Sequence, residues 1–157
     1  MTALQPPRYW PERSLPERAF IPGRGPKPAA AAEQRAAYLS AERWRDSAAY
    51  LWGVDLYNYG YAWEAHEAWE ALWRAAKRDA TQATYLQGLI QCAAARVKAN
   101  MDDAKAAQRL LERGLTRLAR VRDREGERYM GLSLARYLAE HAESSEREAF
   151  PRLWLEM

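Results

Sequence analysis

The chain has 157 residues, 48% of them hydrophobic and 29% charged, with one cysteine and a formal net charge of +3. That length suffices for one domain with its own core, and the lone Cys92 excludes an internal disulfide framework. No stretch approaches the roughly 20 apolar residues that span a bilayer and no signal-peptide pattern opens the chain, so a cytoplasmic protein without membrane contact is expected.

The charge is unevenly placed. Residues 1–28 hold Arg8, Arg13, Arg18, Arg24 and Lys27 against Glu12 and Glu17, which is the whole excess, and the rest balances at 19 of each sign. Such a balance gives no global field for a polyanion, and nucleic acid is not the expected partner. Arginine outnumbers lysine 20 to 4, a bias that, with the abundant alanine, reads as nucleotide composition rather than selection for anion recognition.

In chain order, seven of the eight prolines fall within residues 6–28 and forbid a propagating helix there. This segment reads as an extended arm. Its Tyr9, Trp10, Phe20 and Ile21 are too apolar for a solvated linker, so it is expected to lie across its own domain or a neighbouring subunit, the latter giving a homo-oligomer. Residues 29–157 then form a single helical domain. No proline occurs from Ala29 to Ala149, and apolar residues recur at helical spacing. Helices are predicted over about 30–44, from a cap at Asp46 or Ser47 to Tyr59, and over 61–76 after a turn at Gly60. Three more follow over about 80–100, 103–122 and 130–142. The apolar end, Phe150 to Leu155, is broken by Pro151 and reads as an extended packed tail. The expected fold is all-α, a compact bundle of five to six helices with short connections.

Chemistry concentrates on the third of these helices, 61–76. His66 and Glu70 lie four apart, while Glu64, Glu67 and Glu70 follow at intervals of three, so adjacent stripes carry all four groups. His66 and Glu70 could share a divalent metal. The His-Glu-x-x-His motif of zinc proteases fails because the fifth position is Glu70, and the Glu-x-x-His spacing of di-iron bundles fails because Glu64 precedes His66 by two. On the fourth helix Gln87 and Gln91 lie four apart, with Lys98 further along the same side, and supply the expected second wall. In one reading the glutamines bond the carboxylates in a buried structural network. In the other they grip a polar ligand while His66 serves as acid, base or metal ligand, with Glu67 orienting it, so His66 and Glu67 are the candidate catalytic residues. Nine aromatics between Trp44 and Trp73 could be core or pocket lining.

Two features read more simply as structure. If the fifth helix continues past Arg122, Lys105, Arg109, Arg113, Arg117, Arg120, Arg124 and Arg128 fall within about 140° of arc, a basic stripe read as a solvated face interrupted by nearby acids. His141, near a helix end, is expected to interact with terminal carbonyls.

The blocks Asn58-x-Gly60-x-x-x-Glu64-Ala-His-Glu67-x-Trp-Glu70-x-x-Trp73, Tyr85-Leu-Gln87-Gly-Leu-Ile-Gln91-x-Ala-Ala-Ala95 and Ala107-x-x-Leu-Leu-Glu112 resemble the DUF309 family over about residues 47–121. The order and spacing of the blocks are more specific than any single block. The resemblance implies a small all-helical protein and no established activity. It places the family's Glu-Ala-His-Glu block at Glu64 to Glu67, its tryptophan at Trp73 and its glutamine pair at Gln87 and Gln91, with residues 1–28 outside it.

The sequence therefore predicts a polar pocket between the third and fourth helices, lined by Glu64, His66, Glu67, Glu70, Gln87 and Gln91 and closed by Trp69 or Trp73. It would bind or hydrolyse a small polar ligand with a divalent metal at His66 and Glu70. The alternative is a non-enzymatic interaction module in which the same cluster is a structural network, and the residues do not decide between catalysis and binding.

Overall fold

A computed structural model describes residues 5–28, 36–143 and 150–157. Five α-helices carry the architecture: α1 Ala48–Asn58, α2 Ala62–Ala75, α3 Ala80–Asn100, α4 Ala104–Glu125 and α5 Leu134–Glu143. A two-stranded hairpin, β1 Arg128–Tyr129 and β2 Leu132–Ser133, separates α4 from α5.

Helix α1 is the centre. Ser47 caps it by accepting from the Tyr50 N–H, and every residue from Tyr50 to Asn58 is buried. A helix covered on all sides is a core helix, not an amphipathic surface one. It stops at Gly60, whose φ of 92° lets the Tyr61 N–H reach Leu56 O at 2.8 Å and its own N–H reach Tyr57 O at 3.2 Å. These paired bonds satisfy the last carbonyls and turn the chain directly into α2. Asp79 and Asp103 cap α3 and α4 in the same side-chain-to-backbone manner as Ser47.

Helices α3 and α4 pack closest. A Cβ added at Gly114 would stand 2.8 Å from Gly88 O, and one at Gly88 would stand 2.9 Å from Leu118. Two glycines facing each other thus let the helix backbones approach. Cys92 lies in this contact, and burial pushes its thiol up to about 12. It is a packing residue, unreactive as a nucleophile at neutral pH.

Three predicted elements need correction. The first helix, expected at 30–44, falls partly on residues 29–35, outside the described residues. Residues 36–40 hold no helix, and a short 3-10 helix at Ala41–Asp46 follows. Its tight turn, with Arg43 off helical geometry, drives Trp44 into the core. The fifth helix runs on to Glu125, so Arg128 leaves the helical stripe for β1, where it pairs with Glu156 at 2.8 Å. The sixth begins at Leu134 instead of about 130, because the hairpin occupies the preceding residues.

Residues 5–28 contain no helix and lie across α1 and α2. Residues 150–157 likewise contain no helix, burying Leu153 and Leu155, with Leu155 bridging to Leu132 of β2.

Candidate functional site

Helix α2 is built around one apolar face. Ala62, Ala65, Ala68, Trp69 and Leu72 are its buried positions, spaced three and four apart. Trp69 fixes it to α1: the indole N–H donates to Tyr50 O at 3.3 Å, and its ring fills the space that a side chain at position 53 would need. The remaining residues divide into two flanks, separated by the buried face on one side and the exposed Glu67 on the other.

One flank meets α1 and the N-terminal segment. Glu64 accepts from the Phe20 N–H at 3.1 Å, and Phe20 packs edge-on against Trp63 with ring centroids 4.9 Å apart. Burial raises the Glu64 carboxyl above its ordinary range, with the Phe20 N–H pulling the other way. A cleft of about 980 Å³ opens here, floored by Trp52, Leu56, Trp63, Ala68 and Ala71, with Glu64 and Glu67 in its wall. None of His66, Glu70, Gln87 and Gln91 lines it.

The other flank carries His66 and Glu70. His66 Nδ1 stands 3.4 Å from Glu67 Oε1 and 3.9 Å from Glu70 Oε2, and it is shielded from solvent with no hydrogen-bond partner among the described residues. One donor atom from each of the three residues lies within 4.8 Å of the others. Arg74 approaches Glu70 at 3.7 Å. Trp73, seven residues beyond His66 and so on the same flank, is half-buried under the Lys77 ammonium, 4.8 Å from its ring.

The glutamines have different surroundings. Gln91 Oε1 accepts from Arg117 Nε of α4 at 2.9 Å. Gln87 is half-buried on α3. The structure therefore brings His66, Glu67 and Glu70 together, ties Glu64 to the N-terminal segment, and turns Gln91 toward α4.

Two polar residues of α1 have roles that the sequence reading did not assign. Asp55 is fully buried and accepts from Tyr9 N at 2.7 Å, Trp10 N at 2.8 Å and Arg8 Nε at 3.0 Å. Asn58 pairs both ends of its amide with Leu153, donating to O and accepting from N at 2.8 Å each. The available signal was a lone carboxylate in a helix apolar on every side, which must find partners elsewhere in the chain. His141, expected to interact with terminal carbonyls, packs edge-on against Tyr137 at 4.6 Å, has no hydrogen-bond partner at Nε2 among the described residues, and is lowered by burial to about 4.

Among the described residues no helix is long and apolar enough to cross a membrane. No curated protein and no solved structure matches the chain. Residues 50–110, which run from α1 into α4 and include the His66 group and both glutamines, match the family model described as Domain of unknown function (DUF309).

Proposed function

We propose that His66, Glu67 and Glu70 bind a divalent transition metal, and that the protein holds a small polar ligand through it. The observation that carries this reading is the His66 Nδ1 atom, shielded from water and unbonded, beside two carboxylates. A buried polar atom without a partner is uncommon and costs about 1–3 kcal/mol unless something satisfies it. One imidazole with two carboxylates suits zinc, manganese or ferrous iron better than the all-oxygen preference of calcium or magnesium.

Donors about 2.1 Å from a common ion lie at most about 4.2 Å apart. The 3.4 and 3.9 Å separations fall within that span, and small rotations of the glutamates bring in the third pair. Three protein donors leave coordination positions for water and ligand, and a metal there would lower the pKa of bound water, as hydrolysis requires. Trp73 offers a flat wall on the same flank. The buried network of the alternative reading should be closed to solvent, whereas the His66, Glu67 and Glu70 side chains are 27, 52 and 32% exposed. That exposure supports the ligand-binding reading.

Calorimetric titration with zinc or manganese tests it. One ion per chain is expected for the wild type, with binding lost in His66→Ala and Glu70→Gln and metal-free melting temperatures unchanged. Absence of binding by the wild type, or equal binding by His66→Ala, would overturn the proposal.

A further inference from the structure

Helix α4 holds seven basic residues against Glu112, Asp123 and Glu125. At about 100° per residue, Arg109, Arg113, Arg117, Arg120 and Arg124 fall within about 80° of arc, and none of the three carboxylates enters it. At about 1.5 Å per residue the five extend over about 22 Å. All but the half-buried Arg117 are exposed.

Arginine is common throughout this chain, so number alone distinguishes nothing. Partnering does. Arg8, Arg24, Arg43, Arg128 and Arg136 each lie 2.6–3.6 Å from a carboxylate oxygen. Among the described residues Arg109, Arg113, Arg120 and Arg124 have no ion pair and no hydrogen bond. Arg117 is held by Gln91, a neutral acceptor that fixes its direction and leaves its charge uncompensated. Lys98, two turns beyond Gln91 on the same side of α3, adds a further cation.

We infer that the α4 stripe is a docking surface for the phosphate backbone of duplex nucleic acid. A row of guanidinium forks about 22 Å long can meet phosphates of both strands, since a duplex carries one negative charge per about 1.7 Å of its axis. Contacts of this kind position a protein without reading sequence. Single strands are usually held on aromatic platforms, and α4 contains no aromatic residue. Membrane-surface helices insert an apolar face beside their charges, whereas Gly114, Leu118 and Val121 of α4 are buried in the bundle.

Fluorescence anisotropy with a labelled duplex of about 20 base pairs and arbitrary sequence tests the inference. Five phosphate contacts give a log K against log salt slope of about −4.5, so affinity should fall about 500-fold from about 50 to about 200 mM salt. Arg113→Gln with Arg120→Gln should reduce that slope by about two. Arg18→Gln with Arg78→Gln removes the same charge from exposed sites outside α4 and should leave binding unchanged. No binding at the lowest salt, equal loss in the control pair, tighter binding of the matching single strand, or binding to acidic phospholipid vesicles but not to the duplex would each overturn it.

Discussion

The two flanks of α2 carry similar residues and use them differently. Toward α1 and the N-terminal segment, polar groups are answered one by one: Glu64 by the Phe20 N–H, the Tyr61 hydroxyl by Pro16 O, and Asp55 of the neighbouring helix by three donors. On the opposite flank His66 Nδ1 has no hydrogen bond among the described residues, and its glutamate neighbours lie at the longer ion-pair distances of 3.4 and 3.9 Å. Groups already bonded within the chain have little left to offer a ligand, so the glutamates of one helix divide into one that is hydrogen-bonded to the N-terminal segment and two that, in the proposed reading, serve a metal.

Asp55→Ala should have the largest effect on stability. It strands two backbone N–H groups and the partly buried Arg8 guanidinium, at a cost of about 3–5 kcal/mol. A chain of this size should then melt about 10 °C lower. A drop under about 2 °C would mean that the bonded flank contributes little, and the contrast would collapse.

His141, a buried group without a charged partner, gives the next test. An unfolded histidine titrates near 6.5 and buried His141 near 4, so between those values the unfolded chain takes up a proton that the folded chain refuses. Stability contributed by neutral His141 is therefore complete above about pH 6.5 and is lost as the pH falls toward 4. Discounted for partial exposure of the ring, the loss is about 2 kcal/mol. Urea midpoints at neutral and acid pH should converge in His141→Leu relative to the wild type.

The smallest effects separate the flanks most directly. Glu64→Ala should cost about 1 kcal/mol through the orphaned Phe20 N–H, and metal-free His66→Ala less than about 0.5 kcal/mol. Chemical denaturation of both variants in chelator measures the difference. Equal losses would place His66 in a structural network.

Much of the helical framework was legible because its punctuation is strong: Ser47, Gly60, Asp79 and Asp103 mark boundaries through caps and turns that local chemistry dictates. The hairpin was not. Met130 and Gly131 both adopt positive φ, as a two-residue turn requires, and methionine gives no warning of it where asparagine or aspartate would. The grouping of His66, Glu67 and Glu70 followed from helical spacing alone. The placement of Gln91 could not, because a four-residue interval puts two side chains on one side of α3 without saying which neighbour that side meets. The opposed glycines Gly88 and Gly114 decide it by drawing α4 against that side.

The paired anchors on α1 also set a timetable. Asp55 holds backbone 46 residues before it, Asn58 holds backbone 95 residues after it, and the Tyr9 hydroxyl accepts from Leu155 N across 146 residues. During synthesis α1 leaves the ribosome early, yet its amide side chain lacks its mate until residue 153 has been made. Contacts between such distant parts of the chain slow folding. The bundle can gather before then, but its central helix completes its bonding only near the end of translation, and until that moment the nascent chain depends on α1 remaining covered by weaker, provisional contacts.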